Sequence, residues 1–552
     1  MLKLHEKVSQ FAPLALLTLV LTGCGGGGGG GGSTPAPVTN APPPTAPTTP
    51  PVSPPTTTPT PPPATPDPNV TFNDGLNASG QTSGTVQVGL AHSGTIPMAN
   101  ISGAIGAGSD AVIVQPSVAA GPGGKVLAVW RERTGSANTA YFAEGTSAGQ
   151  WGASKQLTQV GQFDPVASDT LSIDTLSTGF ALRMNASGDA VLGWTEPLPG
   201  KVATWFNHKS RILRYAHDTG WSPSATDMLS PVTIFAGEAN NSDLQILDDS
   251  RITFSDYIPN IPTVQIYRQS GNAAPSAIAM LANSSQASYQ AFASDPAGNA
   301  VAVYSDGNLN AFDLNIASAV SQPAKNIRSN VVGGSCGSNP WRSPNVAVAN
   351  ARYSIYAYTV IDPAVSTCSL RLVTRDAATG QINYTVGMTP ASFIFQPPIL
   401  AMDKSGNGVV VWEELSGDLS RPSARPVFAN ALPGNALSSP QLLGSNYESI
   451  GKKIANIPLR FAMNRAGKGV AAMVVYANGN IYLATSLYSV QAGFSPWKLV
   501  AGAYTLGVPN VAVSEAGDAF VTWAGPVNCK RTAPAVALSC DNKQQGIYML
   551  KL

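Results

Sequence analysis

One pattern of polar and apolar positions recurs along the chain. A polar residue, two others, Gly and then Asn or Asp lead into an apolar run that ends in an aromatic. It occurs as Asn185-Ala-Ser-Gly188-Asp189 running to Trp194, and as Asp295-Pro-Ala-Gly298-Asn299 running to Tyr304. Asp403-Lys-Ser-Gly406-Asn407 runs to Trp412, and Ser514-Glu-Ala-Gly517-Asp518 runs to Trp523. A variant, Gly121-Pro-Gly-Gly124-Lys125, runs to Trp130. In Asn464-Arg-Ala-Gly467-Lys468, Met473 takes the aromatic's place. Asn or Asp with Gly supplies the positive φ of a tight hairpin turn. The flanking runs, such as Ala190-Val-Leu-Gly-Trp194 and Gly408-Val-Val-Val-Trp412, are apolar on both faces and so predict strands buried on both sides.

The glycines at 124, 188, 298, 406, 467 and 517 leave two gaps about twice the others. Each wide gap is expected to hide a degenerate copy, one at Asp248–Phe254 and one at Asn350–Tyr356. That makes eight repeats, each about 56 residues long, with a third strand after the hairpin (Ile212-Leu-Arg-Tyr, Ile481-Tyr-Leu-Ala) and often a fourth near Trp151, Trp221 or Trp497. Units of three or four antiparallel strands, buried on both faces, predict an all-β chain folded as a β-propeller of about eight blades, with seven as the alternative. The chain stops after the third strand of its last repeat. A strand from residues 70–112, where Thr85–Leu90 has strand character, is expected to complete that blade and close the ring.

The hairpin is similar to those of the NHL and streptogramin-lyase propellers, over most of residues 115–552. The resemblance implies the fold and names no activity. The Asp-box spacing of sialidases is not met.

The N-terminal composition is different. Lys3 and Lys7 precede the apolar run Phe11–Thr22, which is too short to span a bilayer and reads as a signal peptide over residues 1–23. Leu21-Thr22-Gly23-Cys24 resembles the bacterial lipobox. The resemblance implies cleavage before Cys24, lipidation of its thiol and amino group, and, with Gly25 rather than Asp following, an outer-membrane address. A glycine run, Gly25–Gly32, and 16 prolines in residues 33–68 then predict a disordered stalk over 24–68. The propeller occupies 69–552.

Charge narrows the chemistry. Lys+Arg 32 against Asp+Glu 31 gives a net charge of +1, which argues against a nucleic-acid partner. Cys336, Cys368, Cys529 and Cys540 allow three disulfide pairings. Cys529 and Cys540 flank an insertion and are expected to meet, leaving Cys336 with Cys368. No metal-ligand spacing and no cofactor motif is present. Two residues after the repeat aromatic stands an acid: Glu132, Glu196, Asp306, Glu414, and Asp256 in a degenerate copy. Alternation places these on one rim, either as a ligand site or as acceptors for backbone N–H groups. His208, Arg211, Arg214 and His217 fall in one polar stretch, a candidate pocket loop. Evenly spread acids do not form the close carboxylate pair of a glycosidase. The expected function is therefore a surface recognition module for a protein or a neutral glycan, with a propeller-fold lyase or glycosidase as the competing class.

Overall fold

The computed structural model describes residues 84–87, 95–100 and most of 112–552. Segments 161–179, 198–207, 228–243, 329–344 and 386–397, and several loop stretches of eight residues or fewer, lie outside the described residues. The signal peptide, Cys24, the stalk, Cys336 and Asp306 also lie outside them.

The described strands form eight antiparallel sheets. Blade 1 covers residues 112–156, blade 2 181–227, blade 3 244–283 and blade 4 289–328. Blade 5 covers 345–385, blade 6 399–442 and blade 7 452–500. Blade 8 joins Asn510–Val513, Ala519–Lys530 and Ser539–Lys551 to two strands from the N-terminal side. Thr95–Asn100 pairs with the last strand, Met98 opposite Leu550, and Gly84–Gln87 pairs outside it. The strand that meets the C-terminal one therefore lies downstream of Thr85–Leu90.

Eight apolar clusters hold the ring, one at each junction. Leu127 and Val129 of blade 1 pack with Leu192 and Trp194 of blade 2. Trp523 and Leu550 of blade 8 meet Val470 and Leu483 of blade 7. The eighth cluster puts Trp130 of blade 1 with Phe520 and Ile547 of blade 8, which closes the circle. This is the physical reason for the doubly apolar strands: each blade buries both faces against its neighbours. The repeat aromatics fill the wedges, with Trp130 and Trp194 fully buried. Trp497 of blade 7 also reaches across, and its indole N–H donates to Leu443 O of blade 6 at 2.5 Å.

All eight inner hairpins share one register. Met184 pairs with Ala190, Ile246 with Ile252, Val348 with Ser354 and Met402 with Gly408. Blades 1, 4, 7 and 8 repeat this spacing. The register corrects the alignment of the degenerate copies by one residue. Leu247 and Ala349, not Asp248 and Asn350, open those turns, as their N–H bonds to Arg251 O and Tyr353 O show.

Candidate functional site

First strands of successive blades lie side by side around the axis. The turns after them form a collar at one end of the central channel. In each full copy the first residue closes the turn twice over. Asp403 N–H donates to Asn407 O at 2.8 Å, while its carboxylate accepts the Ser405 and Asn407 N–H groups. The Gly takes positive φ, +93° at Gly406 and +86° at Gly188.

Where the first residue is Asn, its amide also donates to the next blade. Asn185 Nδ2 reaches Leu247 O at 2.8 Å, and Asn464 Nδ2 reaches Ser514 O at 2.7 Å. Backbone bonds from Asp248 N to Pro296 O and from Lys404 N to Arg465 O continue the collar.

The second turn residue brings charge to the axis. Arg465 Nη1 of blade 7 lies 3.1 Å from Asp248 Oδ2 of blade 3, although 217 residues separate them. Blades 3 and 7 stand opposite in a ring of eight, so this ion pair spans the channel. Glu515 and Lys404, at the same turn position in blades 8 and 6, share its field. Burial pushes the Glu515 carboxyl up, Arg465 and Lys404 pull it down, and Asp248 raises it.

Beside the collar, Asp189 gathers three donors. Ser250 Oγ donates to Oδ2 at 2.5 Å, and Oδ1 takes the His217 backbone N–H at 3.0 Å and faces its Nδ1 at 3.2 Å. Burial works to raise the Asp189 pKa, but these partners outweigh it and hold the carboxyl low. His217 Nε2 lies 2.6 Å from Asp218. Arg214 donates to Ser250 O, and burial lowers its pKa against the pull of Asp189. The Ser250 hydroxyl thus donates to a carboxylate of the preceding blade, an arrangement that ties blades 2 and 3.

The expected pocket loop is largely strand: His208–Ala216 is the third strand of blade 2. Alternation splits its side chains. Arg211 faces Trp194 and pairs with Asp227 at 2.7 Å, whereas Arg214 and His217 converge on Asp189. The His208 side chain lies outside the described residues. The apolar run Ile212-Leu213 between charges is the signal for a strand buried between blades.

The rim acids occupy separate blades. Trp130 Nε1 donates to Glu132 Oε1 at 2.9 Å, so acid and aromatic share a face; burial raises the Glu132 pKa and the indole bond lowers it. Glu414 takes Arg425, its cross-strand neighbour, at 2.8 Å. The backbone N–H of the next blade goes instead to buried Glu413, which accepts Leu459 N–H at 2.8 Å. By the shared register Asp256 stands two residues short of the position held by Glu132 and Glu414. The side chains of Glu196 and Asp256, like Asp306 as a whole, lie outside the described residues.

Three features escaped sequence reasoning because their partners are remote. The cross-channel pair is one. Buried Arg375 of blade 5 is another, bound to Asp313 of blade 4 through two bonds of 2.6 and 2.5 Å. The third is a cavity of about 160 Å³ along the inner strands of blades 1, 2, 7 and 8, lined by Arg183, Arg460 and Asn510 among apolar residues. Among the described residues no group of three His, Cys, Asp or Glu side chains is placed to hold a metal ion.

The fold and collar define the class, an eight-bladed β-propeller. No family model matches the chain, and no curated protein matches it. Among solved structures it is similar to the β-propeller domain of the Trilobed protease from Pyrococcus furiosus, with 7% identity over 67% of this chain and 93% of that one, TM-score 0.35. It is similar to a polysaccharide lyase of family PL25, an ulvan lyase, with 10% identity over 77% and 92%, TM-score 0.36. It is also similar to the alpha-L-arabinanase of Penicillium chrysogenum, with 12% identity over 57% and 92%, TM-score 0.32. At this distance they assign no activity.

Proposed function

We propose that this chain is a surface recognition propeller, anchored to the outer membrane by lipid on Cys24 and binding a protein or a neutral glycan. The observation that carries the reading is the commitment of the rim carboxylates. Glu132 is held by the Trp130 indole and Glu414 by the Arg425 guanidinium, on blades 1 and 6. Glycosidic chemistry needs two carboxyls roughly 5–10 Å apart across the substrate. Acids engaged in their own blades, three blades apart in the ring, support a binding face instead. Beyond the rim, Cys529 and Cys540 stand directly opposite in the last hairpin, a register that supports a disulfide there.

A glycan array probed with the purified full chain, with reducing-sugar release followed in parallel, tests the reading. Binding without release is expected. Release from any polysaccharide that one Glu-to-Gln change abolishes would replace the binding reading with the lyase or glycosidase. For the anchor, Cys24→Ala is expected to move the protein out of the membrane fraction; retention there with unchanged palmitate incorporation refutes lipidation at Cys24.

A further inference from the structure

We propose that three polar contacts between neighbouring blades are addresses, which fix which blade face docks against which as the ring closes. All three use the same two positions of the repeat. The donor stands on a third strand, opposite the fifth residue after the one that opens the inner turn. The acceptor stands on the third strand of the preceding blade, opposite the sixth. Tyr215 of blade 2, opposite Ala190, donates to Glu144 of blade 1, opposite Leu127, at 3.0 Å. Arg375 of blade 5, opposite Ser354, donates twice to Asp313 of blade 4, opposite Val301, at 2.6 and 2.5 Å. Tyr488 of blade 7, opposite Gly469, donates to Asn430 of blade 6, opposite Val409, at 2.9 Å.

The apolar faces are far less distinctive. The sixth residue after the turn opener is Leu127, Val191, Val301, Ile355, Val409 or Val470 in six of the blades, each packed in a different junction cluster. Side chains so alike supply energy with little selectivity, because apolar burial is non-directional. Repeats that share one register and one kind of face are prone to docking out of order or between chains.

The polar contacts do discriminate. Guanidinium with carboxylate, phenol with carboxylate and phenol with amide are three different pairs. Blade 6 has Ala431 at the donor position, so that blade docked against blade 4 would offer Asp313 no donor side chain. Blade 7 has Leu487 at the acceptor position, so Arg375 docked there would meet no acceptor side chain. Tyr215, Arg375 and Tyr488 are all buried. A buried guanidinium or phenol left without its partner costs more than the correct contact contributes. A contact of small net stability thereby penalises every wrong neighbour, which is what specificity requires.

Refolding of the full chain from urea tests the proposal. The monomer fraction is read by size exclusion with light scattering, and stability by thermal unfolding of the recovered monomer. Arg375→Met with Asp313→Leu removes the address and keeps an apolar fill. Its monomer is expected to melt no lower than the parent's, while the monomer fraction falls roughly threefold or more in favour of dimers and larger species. Arg375→Asp with Asp313→Arg keeps a distinct address and is expected to refold with the parental monomer fraction. Arg375→Tyr with Asp313→Glu copies the address of blades 1 and 2 onto blades 4 and 5 and is expected to lower the monomer fraction. A parental monomer fraction in the apolar variant overturns the proposal. So does a melting temperature that falls along with the yield, which is the mark of a plain stabilising contact. If the apolar variant yields no monomer, Tyr488→Phe with Asn430→Leu decides by the same two readings.

Discussion

The inner hairpins of blades 6 and 3 follow the same backbone path by different means. In blade 6 the turn is self-sufficient. Gly406 supplies the positive φ, and the Asp403 carboxylate satisfies the turn's own N–H groups and the Asn407 amide. In blade 3 Leu247 has no side-chain acceptor, and Ser250 takes φ +61°, a conformation costing a non-glycine residue roughly 1–2 kcal/mol. Asp249 of the same turn accepts the Arg251 N–H, and neighbours hold the remaining polar groups. Asn185 of blade 2 donates to Leu247 O and Ser250 Oγ, Arg214 donates to Ser250 O, and Asp189 takes the Ser250 hydroxyl. Blade 5 uses a third device: Asn350 accepts the N–H groups of Arg352 and Tyr353, and Arg352 pairs through two bonds with Asp376. A repeat can thus lose its consensus where adjoining side chains take over the polar groups of its turn, because buried backbone donors and acceptors must be paired by something.

If that contrast is right, the largest effect belongs to the self-sufficient turn. Gly406→Ala would hold alanine at φ +93° with its Cβ overlapping the Tyr353 ring. A loss of about 3 kcal/mol in urea unfolding is expected, from left-handed strain plus overpacking. A loss under about 1 kcal/mol would show that the glycine is dispensable even there.

A smaller, pH-dependent effect is expected in blade 5. The Arg352 guanidinium beside Asp376, helped by the Ala378 and Thr379 N–H groups and opposed by burial, lowers the Asp376 pKa to about 2. A depressed folded-state pKa means its contribution is fully present above the ordinary carboxylate value near 4. It is lost as pH falls towards 2. Urea midpoints measured from pH 5 to pH 2 should decline for the parent and decline less for Asp376→Asn. Parallel declines would remove Asp376 from the account.

The smallest effect is expected at Ser250→Gly. Relief of the positive φ, about 1–2 kcal/mol, should offset most of the loss of the Asn185 bond, about 1 kcal/mol, and of the charge-assisted Asp189 bond, about 1.5 kcal/mol. A net loss below about 1 kcal/mol is expected by the same unfolding assay. A loss above 2 kcal/mol would mean that the side-chain bonds, rather than the backbone path, hold the blade 3 turn.

The repeat was legible because a β-hairpin writes itself in local chemistry. Gly188, Gly298 and Gly406 sit where only positive φ fits, and the doubly apolar runs between them can only be strands covered on both faces. The degenerate copies were found from spacing, yet their register was missed by one residue. In blade 3 the turn is stabilised from Asn185 and Asp189, some 60 residues away, so no local residue marks its first position. Asp256 falls outside the set of Glu132 and Glu414 because Phe254 stands two residues short of the position that Trp130 and Trp412 hold. His208, Arg211, Arg214 and His217 read as one polar loop because proximity in sequence says nothing of the alternation that sends Arg211 towards Trp194 and Arg214 towards Ser250.

By itself, then, the sequence determined the hairpin chemistry, the all-β class and the blade count, since each follows from residues within one repeat or from the distance between repeats. Only the tertiary structure decided which charges meet. The closed ring sets Arg465 against Asp248 across the axis, Arg375 against Asp313 between blades, and Arg183 with Arg460 along one cavity. Arg375 and Asp313 need the packing of two neighbouring blades, while Arg465 and Asp248 meet through the curvature accumulated around the ring, a global quantity that no single repeat encodes.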